Sequence, residues 1–187
     1  HQKVLSCHGH NERSLESKIG QLSEHNILLV SDAGTPCISD PGSTIVRSAH
    51  ENNTQVIPVP GPSALSTAVS VAGFQTRTIH YLGFPPRKPG LLRKWLIEHS
   101  ALSGQLVFFE SGRRFGSTIK ALQEVMPDRE ICMCREMTKT YEEIVRGPVM
   151  EFSTEPVLGE VVVIVGPGAE VLKQEEQKNQ LTQFQKK

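Results

Sequence analysis

No apolar run in the 187 residues approaches the roughly 18–20 that a bilayer-spanning helix needs, and no basic-then-apolar segment opens the chain. Membrane spanning and export through this segment are therefore not expected. Charge of one sign is lacking too, since 20 Lys and Arg balance 20 Asp and Glu and the formal net charge is zero. Without an overall basic field to attract phosphates, any contact with nucleic acid must use a local patch. Cysteine is scarce. Four residues at irregular spacing (Cys7, Cys37, Cys132 and Cys134) make neither a disulfide scaffold nor a paired zinc site, and are expected as reduced thiols in a cytosol-like compartment. Period-two alternation places Cys132 and Cys134 on one face of a strand. Ligand-type side chains gather at Cys7-His8-Gly9-His10-Asn11-Glu12, yet no second cluster completes a shell, so no metal is expected. The fingerprints GxGxxG and GxxxxGK[ST] are absent, which argues against Rossmann dinucleotides and P-loop nucleotides. No Ser/His/Asp nucleophile elbow supports covalent catalysis.

The length suits one domain or two small ones. A hydrophobic fraction of 37%, with 15 Gly added, lies near the globular norm, which excludes a disordered or fibrous chain. Apolar runs alternate with amphipathic stretches. Strands are expected at Lys3–Ser6, Ile27–Val30, Val56–Val59, Ile79–Phe84, Leu106–Phe109, Ile131–Cys134 and Val161–Val165. Helices are expected at Ser14–Glu24, Ser43–Glu51, Ser63–Ala72, Leu91–Leu102 and Phe115–Val125. This alternation predicts an α/β fold with mostly parallel sheets. A boundary at Phe74–Thr78 divides it into an N-terminal domain over 1–77 and a C-terminal domain over 78–172. A polar tail follows over 173–187, solvated helix or disorder. His1 is not Met and leads almost directly into a strand, so residues are expected upstream. Asn52-Asn53-Thr54 is formally a glycosylation acceptor, without meaning in a cytosol-like compartment.

Chemistry concentrates in loops at the carboxyl ends of strands, where α/β sheets bind ligands. Ser31–Gly42 (SDAGTPCISDPG) combines small residues with two prolines, a rigid loop that a ligand can approach closely. There Asp32 suits a ribose hydroxyl or an ammonium. The plain alternative is a turn with Asp40 capping the next helix. Pro60-Gly61-Pro62-Ser63-Ala64 repeats the design and is either an anion-binding helix opening or a turn capped by Ser63. Two such loops could form one cleft. Glu110-Ser111-Gly112-Arg113-Arg114 follows a strand with an acid and paired guanidiniums, suited to phosphate-rich ligands or simply a helix start with surface arginines. Arg135–Glu143, dense in charge with one aromatic, is a substrate rim or a solvated segment.

Taken together, the motifs resemble the tetrapyrrole methylase superfamily, the class III S-adenosylmethionine-dependent methyltransferases. The most similar branch is the ribosomal RNA small subunit methyltransferase I family. The resemblance rests on HxHNE at His8–Glu12, the loop Ser31–Gly42, PGPSA at Pro60–Ala64 and GFPPR at Gly83–Arg87. It continues with ESxxR at Glu110–Arg114, REMTKxYEE at Arg135–Glu143 with a following RG, and GEVVV at Gly159–Val163. The motifs occur in family order across about 8–168. The family begins with a strand and a P-I-G-N-L-type loop that this sequence does not match, so either an N-terminally trimmed member or one that has lost part of its site is expected.

The resemblance implies a two-domain α/β fold with the methyl donor, S-adenosylmethionine, in the cleft between the domains, usually in a homodimer. It implies methylation of a cytidine ribose 2′-hydroxyl in 16S ribosomal RNA by a cytoplasmic enzyme acting on the small ribosomal subunit. By position, Asp32, Ala33, Gly34, Ile38, Ser63, Ala64, Glu110 and Met137 are the candidate donor-binding residues. Arg87, Arg113, Arg114, Arg135 and Lys139 are candidates for RNA phosphates. The sulfonium makes the methyl electrophilic, so the enzyme must align the 2′-oxygen and help remove its proton. Glu136, Lys139 and Glu143 are the candidate catalytic residues, unranked by sequence. Two rival readings stand beside this one. One is a methylase of the same fold acting on a corrinoid precursor or another small molecule; the other is a non-catalytic RNA-binding or ribosome-assembly module.

Overall fold

The computed structural model describes residues 4–8, 11, 15 and 26–168, which divide into two compact units, His1–Ser63 and Ala64–Lys187. In the first unit one helix stands out, α1 (Ser43–Glu51), supported by an i,i+4 pair between Arg47 and Glu51 at 3.6 Å. It starts after Gly42 with no side-chain cap bond, so Asp40 does not cap it. It stops where Asn53 turns left-handed (φ 53°) and donates its N–H to the His50 carbonyl. The formal glycosylation triplet is thus a helix terminator.

Ile27–Val30 and Val56–Val59, expected as strands, form none among the described residues, and neither does the described part of 3–6. A strand exists only through a ladder partner, and apolarity alone supplies none. Leu28, Val30, Ile57 and Val59 are accordingly exposed. Apart from Leu15, the helix expected over 14–24 lies outside the described residues, as does the tail over 173–187.

The second unit is an α/β layer structure. Its elements are α2 (Ala64–Ala72), β1 (Ile79–Tyr81), α3 (Pro89–Ser100), β2 (Gln105–Ser111), α4 (Gly112–Val125), β3 (Glu130–Arg135), β4 (Glu143–Pro148), a 3-10 turn (Val149–Glu151) and β5 (Glu160–Val165). Strand order is β1-β2-β5-β3-β4. Only β1 and β2 pair in parallel; β2–β5, β3–β5 and β3–β4 are antiparallel. The expectation of mostly parallel sheets is thereby corrected. The three strands linked by helical crossovers, β1, β2 and β3, do run one way. The last strand enters between β2 and β3 in the opposite sense, and β4 returns from β3 as a hairpin. β4 is not among the expected strands; the charged segment Arg135–Glu143 overlaps it only at Glu143. It is an edge strand with Ile144 and Val145 both partly open to solvent, so it lacks the alternation that reveals a half-buried strand.

Alternation along the central strands builds two cores. Leu106, Phe108, Ile131, Met133, Val161, Val163 and Val165 face α3 and α4, which contribute Leu92, Leu96, Phe115, Ile119 and Leu122. On the opposite face Val107, Cys132, Cys134, Val162 and Ile164 pack against Ala68 and Ala72 of α2. That packing places α2 in the second unit. The two thiols share this face as expected, with sulfurs 3.8 Å apart. Two arginines tie the layers. Buried Arg129 donates to the carbonyls of Gly166 (2.8 Å) and Ser100 (2.9 Å), and burial lowers its pKa. Arg146 donates to the Ala72 and Gly73 carbonyls at the end of α2, pairs with Glu130 and lies 4.3 Å over the Phe74 ring.

Gly116 of α4 lies so close to the segment after the 3-10 turn that a Cβ there would overlap the Thr154 carbonyl. Replacing Gly116 by Ala is expected to lower unfolding stability by about 2 kcal/mol, the order seen when a packed backbone is forced apart. Urea denaturation measures this; an unchanged midpoint would mean that the segment moves away freely.

Candidate functional site

The register of β5 assembles the site in the second unit. Ser111 of β2 stands opposite Glu160, and Arg135 of β3 stands opposite Val161. The carboxyl ends of two strands distant in sequence therefore meet on either side of one short stretch, Gly159-Glu160. Tight turns make the junction possible. Gly112 N–H donates to the Gly159 carbonyl at 2.8 Å and Val157 N–H to the Gly112 carbonyl at 2.9 Å. A Cβ on Gly112 would run into the Val157 carbonyl.

Glu110 is 3% exposed and its carboxylate is fully employed. Oε1 accepts the Ser111 N–H at 2.8 Å; Oε2 accepts from Thr118 Oγ1 at 2.8 Å and from Arg114 Nη2 at 2.9 Å. The same Arg114 nitrogen donates to the carbonyls of Pro85 (3.0 Å) and Pro86 (3.3 Å). A buried carboxylate is thus neutralised by a guanidinium that also pins the Gly83–Arg87 loop. Burying that charge is tolerable only because each oxygen has donors. α4 begins at Gly112, earlier than the expected Phe115, so Arg113 and Arg114 lie in its first turn, Arg113 exposed and Arg114 turned inward.

Arg135 donates through Nε to Glu143 Oε2 at 2.8 Å, a cross-strand pair, and through Nη1 to the Leu158 carbonyl at 3.3 Å. After it the backbone turns sharply, with Glu136 (φ 48°) and Thr138 (φ 64°) both left-handed. The turn is held by Glu136 N–H to the Glu160 carbonyl at 2.9 Å, Lys139 N–H to the Glu136 carbonyl at 3.0 Å, and Thr138 N–H to the Glu142 carboxylate at 2.6 Å. Lys139 Nζ bridges Glu136 Oε1 at 3.0 Å and Glu160 Oε2 at 2.7 Å, while Glu136 Oε1 also accepts the Glu160 N–H at 2.8 Å. The Glu160 backbone and then the lysine hold the Glu136 carboxyl below its usual pKa; the Glu160 and Glu136 carboxylates raise that of Lys139. A side chain on Gly159 would collide with the Glu136 carboxylate, so glycine is needed there. Arg135, Glu136, Tyr141, Leu158 and Gly159 line a concavity of about 160 Å³. Met137 turns to the α2 face and packs against its core.

In the first unit the two Pro/Gly loops do meet. Thr35 Oγ1 donates to the Pro62 carbonyl at 3.1 Å, and Ser31 Oγ donates to the Gly34 carbonyl at 2.9 Å. Gly34, Cys37, Ser39 and Gly42 all have positive φ. Asp32, Ala33 and Gly34 are exposed and Ile38 is half-buried. Ser63 ends this unit and Ala64 opens the next. Of the His8–Glu12 motif, Asn11 is seen closing a turn through Oδ1 to the His8 N–H at 2.8 Å; Gly9, His10 and Glu12 lie outside the described residues. No group of metal-ligating side chains occurs among the described residues.

Sequence reasoning brings Glu110, Arg114, Arg135, Glu136, Lys139 and Glu143 forward; it names Gly159 and Glu160 only as part of the GEVVV motif, without a role, and does not single out Thr118. The signal for two of them was present, a Gly-Glu pair opening an apolar run. Thr118 is a helix residue that only its burial distinguishes.

Residues 6–153 match the family described as Tetrapyrrole (Corrin/Porphyrin) Methylases. A protein named ribosomal RNA small subunit methyltransferase I from Leptospira biflexa is 42% identical over 137 residues, 73% of this chain. The chain spans 57% of that relative's length. Among solved structures, the methyltransferase CobJ superposes with a TM-score of 0.60 at 19% identity, covering 84% of this chain and 72% of CobJ. Uroporphyrin-III C-methyl transferase from Thermus thermophilus, solved with S-adenyl homocysteine, gives 0.54 at 16% identity, covering 86% and 74%. These likenesses show the fold.

Replacing Glu110 by Ala removes the carboxylate that accepts from Thr118 and Arg114. A loss of about 3 kcal/mol in urea unfolding is expected, with a smaller loss for Glu110→Gln. A loss under about 1 kcal/mol for the Ala variant would contradict the network's structural weight. The lysine bridge makes a separate prediction. Glu136, with its pKa lowered, contributes at pH above the ordinary carboxylate value, and its contribution is lost as pH falls through the lowered one. Lys139, with its pKa raised, contributes below the ordinary lysine value, and its contribution is lost as pH rises through the raised one. The bridge should stay intact from about pH 4.3 to about pH 10.4. Carboxyl carbon NMR shifts of Glu136 check this, and a midpoint near neutrality would refute it.

Proposed function

The chain belongs to the tetrapyrrole (corrin/porphyrin) methylases, and from that premise we propose that it serves S-adenosylmethionine-dependent 2′-O-methylation of a cytidine ribose in small-subunit (16S-type) ribosomal RNA. The observation that carries the reading is the cluster at the carboxyl end of β3, where Arg135, paired with Glu143, and Glu136, which clasps Lys139, line an open concavity. The name borne by the Leptospira relative supports the RNA substrate. The solved relative holding S-adenyl homocysteine supports the donor at the level of fold.

The first-unit loops fit such a donor. Asp32 presents an exposed carboxylate, suited to a ribose hydroxyl or an ammonium, beside the open backbone of Ala33 and Gly34. Ile38 offers partly buried apolar surface, and Ser63 and Ala64 form a helix opening. In the second unit, Met137 is a further candidate for the donor. Glu110 acts through Arg114 and Ser111, since both its oxygens are already engaged. When bound, S-adenosylmethionine supplies an electrophilic sulfonium methyl group. The protein must orient the ribose 2′-oxygen and ease its proton away. Lys139, bridged to Glu136 and Glu160, has a third N–H with which to orient the 2′-oxygen, and the hydroxyl proton leaves to solvent as the methyl group is transferred. Glu136 holds that lysine in place, and Glu143 orients Arg135. Arg87 and Arg113, both exposed, take RNA phosphates, while Arg114 and Arg135 add their remaining N–H groups. A cytoplasmic homodimer acting on the small ribosomal subunit belongs to the same reading. No described helix is long and apolar enough to cross a membrane.

The test is titration calorimetry with S-adenosylmethionine, followed by transfer of a labelled methyl group to small ribosomal subunits. Asp32→Ala is expected to weaken donor binding by about tenfold or more while leaving the unfolding midpoint unchanged, the size of a lost charge-assisted hydrogen bond. Unchanged affinity would remove Asp32 from the site. RNA binding without donor binding would favour a non-catalytic assembly module, and transfer only to a corrinoid precursor would favour a small-molecule methylase.

A further inference from the structure

We infer that Phe84 is a stacking platform for an unpaired RNA base, set at the head of a basic strip that takes the flanking phosphates; this rests on the RNA reading above and adds a residue to it. Phe84 is 62% exposed at the bend that follows β1 in the second unit. It is not a loose side chain. Its ring stands edge-on to Phe109 at 5.6 Å, and Phe109 in turn lies 5.1 Å from Tyr81. One side of the ring is therefore supported while much of the rest meets solvent.

The loop beneath it is held at both ends. Gly83 has φ 66° and its carbonyl accepts the Phe109 N–H at 2.8 Å. Pro85 and Pro86 restrict the backbone, and both their carbonyls accept from Arg114, itself anchored on the buried Glu110. An aromatic surface so fixed loses little freedom when a base stacks on it.

Charge selects nucleic acid as the occupant. Arg87, Lys88, Arg93 and Lys94 are all exposed; Lys94 pairs with Glu98 at 3.8 Å, so Arg87, Lys88 and Arg93 carry the local excess of positive charge in a chain whose net charge is zero. Arg113 in the first turn of α4 is exposed as well. An exposed, rigid aromatic followed by cations is the pattern by which proteins bind single-stranded RNA: the ring stacks a base and the cations follow its phosphates.

The test uses the whole chain and a short fluorescein-labelled single-stranded RNA, read by anisotropy at several salt concentrations, with donor affinity measured in parallel. Phe84→Ala is expected to weaken RNA binding by about tenfold, leaving the salt slope and donor affinity unchanged. Phe84→Trp should retain parental affinity or exceed it. Arg87→Ala should instead lower the salt slope by about one. The proposal is overturned if Phe84→Ala binds RNA as tightly as the parent, if Phe84→Trp is as weak as Phe84→Ala, or if the Ala change alters only self-association. A parent that binds donor but no RNA at any salt would overturn the RNA reading itself, a result distinct from a parent that binds RNA indifferently to Phe84.

Discussion

The insertion of β5 between β2 and β3 is the constraint on which the second unit depends. Five consecutive residues, Val161–Val165, are buried, and they alternate between two cores on opposite faces of the sheet. Without that strand, β2 and β3 would each lose a hydrogen-bonding edge, and the two apolar layers would lose their shared centre. The same strand begins at Glu160, so the register that completes the core also brings Glu110, Ser111, Arg135 and Glu136 to its threshold. Stability and site thus come from one ladder.

Charge is used in two different ways around that threshold. Glu110 lies inside the protein, where every oxygen needs a donor, and Thr118, Arg114 and the Ser111 amide provide them. Its work is mechanical. Through Arg114 it fixes the Pro85–Pro86 turn, and with it the neighbouring aromatic and basic residues. The Glu136–Lys139–Glu160 bridge lies nearer the surface, where solvent screens ion pairs and each contributes little stability. Its value lies in placing a cation whose protonation is secure at neutral pH, next to a concavity with room for a ligand group.

The first unit follows another logic. Its loop over 31–42 contains two non-glycine residues at positive φ, Cys37 and Ser39, besides Gly34 and Gly42. Such a backbone persists only when its surroundings over-determine it. Part of that determination is visible in the Thr35 bond to Pro62 and the Ser31 bond to Gly34. At Gly42 a side chain would press on Leu29 and Cys37, so the glycine there meets both the dihedral and the space. A loop of this kind exposes backbone groups in fixed directions, which suits recognition of a polar small molecule.

Much was legible in the sequence because it is local. Short apolar runs located β2, β3 and β5 within a residue or two at each end, and helical spacing located α1, α2, α3 and α4, because both patterns are written residue by residue. Motif order indicated the family for the same reason. The strand direction in the sheet was not local, and the rule that crossovers give parallel strands could not foresee a last strand slipping between two others. Nor could apolarity at Ile27–Val30 and Val56–Val59 supply a ladder partner. At the site, the sequence by itself determined which loops carry acids and guanidiniums. Only the tertiary structure decided that Glu110 is a buried anchor, that Lys139 is clasped between carboxylates from two loops, and that Phe84 faces solvent on a pinned turn. Burial and hydrogen-bond partnership belong to pairs of distant residues, and those pairs exist only once β5 has closed the sheet.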